Sequence, residues 1–139
     1  MIALDSSVLV AALCGWHTHH RESAAALANS PSGGFLVASH SILETFAVLT
    51  RLPPGQRLSP RSVVKLLEAL QPRLTVVSPT FDPWVLLKQA ISHGTTGGQT
   101  YDLLIATTVA QAGATTLLTW NIRHFRPLNV LGLSVQTPG

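Results

Sequence analysis

The chain has 139 residues, of which 46% are hydrophobic and 11% charged, and its formal net charge is +3. This composition excludes a disordered chain and favours one folded domain spanning residues 1–139. The chain lacks both a basic N-terminal stretch before an apolar run and an apolar segment of membrane-spanning length, so we expect a cytoplasmic protein. The single cysteine, Cys14, fits a reducing compartment. The mildly basic charge favours anionic partners such as nucleic acid.

Short apolar runs rich in β-branched residues recur along the chain and predict β-strands at residues 2–4, 35–38, 74–77, 116–119 and 133–136. Helical periodicity fills the intervals, at residues 7–13, 18–29, 41–52, 60–70, 83–93 and 102–112. The strands are continuously apolar, which is typical of a parallel sheet covered on both faces. The sequence therefore predicts an α/β fold with helices on both sides of a five-stranded parallel sheet.

Acidic residues are scarce, so each can be considered in turn. They are Asp5, Glu22, Glu44, Glu68, Asp82 and Asp102. Glu22 and Glu68 fall within amphipathic helices among polar neighbours, and Asp82 directly precedes a proline at a predicted helix start. For these three, solvated or helix-capping roles are expected.

The remaining three acids predict a metal site. Asp5 ends the first strand, Glu44 follows the second, and Asp102 opens the helix before the fourth, so all three can lie at the sheet edge where ligands bind. Singly, Glu44 also fits a capping box with Ser41, and Asp102 suits a helix N-terminus. Within about 5 Å of one another, each pair of carboxylates would repel by roughly 3 kcal/mol. Oxygen ligands favour Mg²⁺ or Mn²⁺ as the cation that relieves this repulsion.

Polar residues after the fourth strand extend this predicted site. Asn121 either caps the short turn at residues 122–125 or offers its carbonyl oxygen to a metal-bound water. Arg123 and His124 follow closely enough to meet a phosphate backbone, although solvated loop charges are an equal alternative. The histidine-rich stretch at residues 16–20 matches no zinc spacing and is interpreted as a loop and helix start.

The order of these motifs resembles that of the PIN-domain family, and within it the VapC-type ribonuclease toxins of toxin-antitoxin pairs. The resemblance covers nearly the whole chain. It is carried by DSS after the first strand, SILETFAVLTR at 41–51, YDLLIATTVAQAG at 101–113 and TWNIRHF at 119–125. It implies a three-layer fold with strand order 3-2-1-4-5, which places Asp5 and Asn121 on neighbouring strands.

The resemblance also implies roles for individual residues and partners. It makes Asp5, Glu44 and Asp102 the acidic metal-binding residues and Asn121 the fourth catalytic position, with Mg²⁺ or Mn²⁺ as the cofactor. His124 stands where an aspartate is frequent in the family, which favours one metal ion over two. Ser6 and Thr119 are hydroxyls that can hold carboxylates or waters in place. The implied activity is hydrolysis of RNA by a metal-activated water, in a homodimer held in check by a cognate antitoxin with a basic, amphipathic tail.

Other functions remain open at this point. A receiver domain needs an aspartate after the third strand and a late lysine, and a haloacid-dehalogenase-type phosphatase needs an Asp-x-Asp pair after the first strand. The sequence supplies neither. A PIN-like module that binds RNA or an antitoxin with little or no nuclease activity is a further alternative, because folds outlive functions. So is an RNA-processing PIN nuclease outside a toxin-antitoxin pair.

Overall fold

A parallel β-sheet forms the centre of the molecule. The computed structural model describes residues 1–128, 130 and 132–139. Its strands are β1 (Ile2–Leu4), β2 (Phe35–Ala38), β3 (Leu74–Val77), β4 (Thr116–Leu118) and β5 (Ser134–Gln136). Within the described residues they form one five-stranded sheet in the order β3-β2-β1-β4-β5, with every neighbouring pair parallel. The predicted sheet and its strand order are confirmed, and β4 and β5 are each one residue shorter than predicted.

Helices connect the strands and cover both faces of the sheet. They are α1 (Ser6–Leu13), α2 (His20–Ala28), α3 (Ser39–Thr50), α4 (Pro60–Leu70), α5 (Pro83–His93), α6 (Gln99–Gln111) and the short α7 (Ile122–Phe125). The predicted bounds of α4 and α5 are confirmed. Local signals mark both helix starts, since each helix has a proline in its first turn and a capping side chain before it. No helix in the described part of the chain combines the length and the apolar character needed to cross a membrane.

Four helices begin elsewhere than predicted, α1 by only one residue, and the differences in α3 and α6 bear on the site. Helix α3 begins at Ser39, so Ser41 lies inside it, and the capping-box alternative for Glu44 is wrong. Helix α6 begins at Gln99, which places Asp102 in its first turn rather than at its start. Helix α2 begins at His20, and the residues just before it form turns.

Two apolar cores lie on opposite faces of the sheet. Successive side chains of a strand point to opposite faces, so Ala3 of β1 joins the core beneath α5 and α6, whereas Leu4 joins the core beneath α1 and α2. A third cluster around Leu49 and Cys14 joins α1, α3 and α4. Each fully buried leucine stabilises the fold by about 1.5–3 kcal/mol. The central strands are therefore held from both sides.

Candidate functional site

The four residues predicted for catalysis line one pocket at the carboxyl edge of the two central strands. Strands β1 and β4 pair in parallel, so the residues that follow them meet at the same edge of the sheet. The pocket has a volume of about 510 Å³, and its walls include Asp5, Glu44, Asp102 and Asn121. The structure thus brings together the residues that are far apart in sequence.

Asp5 is the best-fixed side chain of this pocket. It is buried, and its oxygen Oδ2 accepts hydrogen bonds from the Ser7 hydroxyl at 2.8 Å, the Ser7 backbone N–H at 3.3 Å and the Thr119 hydroxyl at 2.9 Å. The Ser7 oxygen in turn accepts the Trp120 N–H at 3.0 Å, and the Thr119 oxygen accepts the Asn121 N–H at 2.9 Å. Burial raises the pKa of Asp5 in spite of these donors. The carboxylate is therefore oriented by the first turn of α1 and by the residue that follows β4.

The other oxygen of Asp5, Oδ1, lies on the side of Glu44. The Ser6 hydroxyl is 3.4 Å from Oδ1 and makes a short contact with Glu44 Oε1. A hydroxyl has one proton to donate, so Ser6 donates a hydrogen bond to only one of these two carboxylates at any moment. His40 Nε2 approaches Glu44 from the helical turn before it, at 3.9 Å. Oδ1 thus keeps acceptor capacity for a ligand in the pocket.

Asp102 faces the other two carboxylates from α6. Burial, and then the negative charges of Asp5 and Glu44, raise its pKa to about 6, while His124 and His40 act in the opposite direction. A carboxylate whose charge is disfavoured by other carboxylates is a characteristic of sites that bind or transfer charge. The neighbouring carboxylates of the pocket therefore contribute to this pKa shift, after burial.

Basic and polar residues border the carboxylates. His124 and Arg51 line the pocket, and Arg123 lies exposed on α7 beside it. Asn121 stands at the N-cap position of α7, but its side chain makes no capping hydrogen bond. The capping alternative for the Asn121 side chain is therefore wrong, and the side chain is available to the pocket.

Sequence comparisons agree with this geometry. Residues 2–127 match the model of the PIN domain family. The chain is 35% identical to Ribonuclease VapC40 of Mycobacterium tuberculosis over 136 residues, which cover 98% of each protein. The chain belongs to the VapC group of the PIN-domain family.

Solved structures show that this PIN fold is shared across the group. The crystal structure of Mycobacterium tuberculosis VapC20, described as a sarcin-ricin loop cleaving toxin, matches with a TM-score of 0.74 at 16% identity, covering 96% of this chain and 99% of that one. VapBC2 from Rickettsia felis, solved bound to a promoter DNA fragment, matches with a TM-score of 0.64 at 19% identity, covering 99% and 98%. At these identities the likeness shows the fold alone.

The carboxylates of this PIN pocket fit a hydrated divalent cation. Among the described residues, no three acidic, histidine or cysteine side chains already stand close enough to share one ion directly. Mg²⁺, however, usually keeps several waters and takes only one or two protein carboxylates. Asp5 Oδ1 is an oxygen donor that such an ion can use. The raised pKa of Asp102 indicates that its negative charge is disfavoured in the metal-free pocket, and a bound cation would relieve this.

Several pocket residues of this PIN domain were not predicted from the sequence. Ser7 orients Asp5 as directly as Thr119 does, and its place in the DSS motif was the available signal. His17, His19 and Trp120 form one wall of the pocket. Burial, and the nearby His19 and His20, lower the pKa of His17. The two histidines lie in the turn segment before α2, and Trp120 lies just after β4. No sequence periodicity connects these two segments, so the sequence does not predict that they meet.

Proposed function

We propose that the protein is a divalent-metal-dependent endoribonuclease and the toxin of a toxin-antitoxin pair. The observation that carries the proposal is the convergence of Asp5, Glu44 and Asp102 on one pocket. Their negative charges disfavour one another there, and a bound cation would neutralise them. The ribonuclease names of its relatives support hydrolysis of RNA. The preferred ion is Mg²⁺ or Mn²⁺, because the donors are oxygen atoms.

In this proposal the residues of the pocket have distinct tasks. Asp5, Asp102 and Glu44 would hold the hydrated ion, directly or through its waters, and Ser7 and Thr119 keep Asp5 in one orientation. The ion would supply a nucleophilic water and stabilise negative charge on the phosphodiester. Asn121 orients a water at the edge of β4. His124 and Arg51 line the same pocket and are placed to bind the phosphate backbone.

The test of this proposal is RNA cleavage by the purified protein. With Mg²⁺ or Mn²⁺ we expect cleavage by the wild type, a loss of at least about a hundredfold in Asp5→Asn and Asp102→Asn, and no cleavage in EDTA. Glu22→Gln, an isosteric change at an acid outside the pocket, is the matched control and should retain activity. Cleavage that survives EDTA would exclude the metal mechanism. RNA binding without cleavage under every condition would favour the non-catalytic module.

The proposal includes a protein antitoxin. Its support is a neighbouring fold solved as the VapBC2 complex, together with an apolar groove of about 500 Å³ between α3, α4 and the edge strand β3. Leu43 lies in this groove with 68% of its surface exposed. A concave apolar groove suits an amphipathic helix of a partner, whose basic residues would then reach the carboxylate pocket. Co-purification with the product of the adjacent reading frame, and its loss in Leu43→Asp, test this part and separate a toxin from an RNA-processing nuclease.

A homodimer and a cytoplasmic location complete the proposal. Helix α5 exposes Trp84, Leu87 and Ile91 along one face, whereas Cys14 is buried as a free thiol. An exposed apolar stripe on a helix can pack against the same stripe of a second copy across a two-fold axis. We therefore assign the α5 stripe to the second copy. An RNA substrate and a reduced cysteine are consistent with the cytoplasm.

A further inference from the structure

One wall of the pocket is aromatic and is not used by the proposed chemistry. It consists of His17, His19 and Trp120, which we call the aromatic wall. The rings of His19 and Trp120 are stacked, with centroids 3.8 Å apart and planes inclined by 7°. His17 continues the surface at 5.9 Å from His19. The faces that His19 and Trp120 turn toward each other are covered by this stacking, so the wall offers a ligand the outer face of His19 and the neighbouring ring of His17.

Hydrogen bonds fix the aromatic wall in place. The Trp120 indole N–H donates to the Ser23 hydroxyl at 2.8 Å, and the Trp120 backbone N–H donates to Ser7. The His19 backbone N–H donates to His17 Nδ1 at 3.0 Å. Since Ser7 also donates to Asp5, the wall and the central carboxylate share one rigid support. Rings held in this way lose little conformational entropy when a ligand binds.

Core packing accounts for only part of this arrangement. Trp120 packs against the core beneath α1 and α2, but both histidines are only partly buried and line the pocket. The lowered pKa of His17 keeps its ring neutral near pH 7, which suits stacking better than binding of a phosphate. Arg51, a cationic group suited to phosphate, lines the same pocket together with His124. The pocket thus combines oxygen donors, a cation and an aromatic surface.

We propose that the aromatic wall stacks on an unpaired nucleobase of the RNA, next to the phosphodiester that the carboxylates engage. This inference rests on the proposed nuclease function and specifies its substrate class. Proteins that recognise single-stranded RNA stack splayed bases on Trp, Tyr, Phe and His rings, whereas the bases of a duplex are covered by their neighbours. The aromatic wall is therefore the position at which we expect one splayed base of the RNA to be held.

The test measures binding of a short single-stranded RNA of mixed sequence in EDTA, where no cleavage is expected. His19→Ala should raise Kd roughly tenfold, and His19→Phe, which keeps a stacking ring, should bind nearly as the wild type does. His93→Ala, at an exposed histidine whose ring hydrogen-bonds to the Gln89 carbonyl of its own helix, is the matched control and should leave Kd unchanged. Thermal melting of each variant checks that the fold is intact.

A second RNA of the same length with abasic positions separates stacking from phosphate binding. We expect the wild type to bind the abasic RNA about as weakly as His19→Ala binds the normal one. Equal affinity of the wild type for both RNAs would overturn the inference, as would a His19→Phe variant as weak as His19→Ala.

The binding assay and the cleavage assay fail independently. If Mg²⁺ supports cleavage and His19→Ala leaves both KM and Kd unchanged, the proposal of base stacking on the aromatic wall is wrong, whereas the proposed nuclease activity is supported. If no RNA is cleaved but binding in EDTA still depends on the ring at position 19 and on the bases, the proposed nuclease activity is wrong, whereas base stacking on the aromatic wall is supported.

Discussion

At the scale of single residues, the two oxygen atoms of Asp5 have different environments. Oδ2 receives hydrogen bonds from Ser7 and Thr119, whereas Oδ1 shares the single proton of Ser6 with Glu44. A carboxylate held through one oxygen can present the other to a ligand without rotating. The sequence predicts that Asp5 belongs to a site, but it does not predict this division, because the division depends on which hydroxyls the fold brings to each oxygen.

Asp102 provides a prediction about pH at this same scale. Its pKa is about 6 in the folded protein against an ordinary value of 3.8, so between these values the folded state binds more protons than the unfolded state. The contribution of Asp102 to the free energy of unfolding of the metal-free protein is therefore most favourable at low pH, and it is lost as the pH rises toward 6. Asp102→Asn should raise the free energy of unfolding by about 1–2 kcal/mol near pH 7, after allowance for solvent screening, and by almost nothing near pH 4.

Urea denaturation of wild type and variant in EDTA measures this difference. Addition of Mg²⁺ at neutral pH should narrow or reverse it, because the wild type gains a ligand that the variant binds more weakly. A difference that is the same at both pH values would show that the Asp102 carboxylate is not held in a charge-disfavouring environment.

At the scale of elements, the sequence predicts helices and strands well where local signals mark their ends. Helices α4 and α5 have the predicted bounds because Ser59 and Asp82 cap them and a proline follows each cap. Helices α3 and α6 begin two or three residues before their predicted starts, without a side-chain cap. Their starts are determined by the end of β2 and by a glycine turn, and the sequence pattern alone does not distinguish these from loop residues.

Gly34, at the start of β2, provides a prediction about an element. Its φ is +76°, and a Cβ atom there would lie 2.5 Å from the Arg73 carbonyl oxygen. Gly33 has a φ of +88° but nothing within 4 Å of a Cβ atom. Gly33→Ala should therefore cost only the left-handed backbone penalty of about 1–2 kcal/mol, whereas Gly34→Ala should cost that and roughly 1–3 kcal/mol more for the steric clash.

Chemical denaturation of the two variants checks this expectation directly. The matched pair separates the backbone penalty, which both substitutions share, from the contact with Arg73 before β3, which only Gly34 makes. Equal losses of stability would mean that the approach of β2 to the turn before β3 is easily relaxed.

At the scale of the whole molecule, two exposed apolar surfaces are assigned to the two proposed partners. The α5 stripe includes Trp84 and Ile91, with 72% and 82% of their surfaces exposed, and the groove between α3 and α4 lies elsewhere on the surface. The sequence predicts these partners only through the family resemblance. Periodicity marks amphipathic helices, but it does not say which apolar face the rest of the fold leaves uncovered.

Ile91→Asp provides the corresponding prediction. In a two-fold dimer the substitution introduces two charges into one interface, so we expect a monomer by light scattering at concentrations where the wild type is a dimer. Leu43→Asp is the matched control: it charges the groove instead of the stripe and should remain dimeric. A dimer that persists in Ile91→Asp would place the second copy on another surface.

The backbone amide of Asp5 donates to the Leu118 carbonyl at 3.0 Å, where β1 is flanked by β2 and β4. This hydrogen bond extends the β1–β4 ladder one residue past the end of β1, and we expect a buried amide beside the central strands to exchange only on wide opening of the fold. For the proposed toxin this means that the central carboxylate is in place in each folded molecule. Inhibition would then come from a molecule that fills or covers the pocket, and the amount of that inhibitor in the cell would determine how much activity is released.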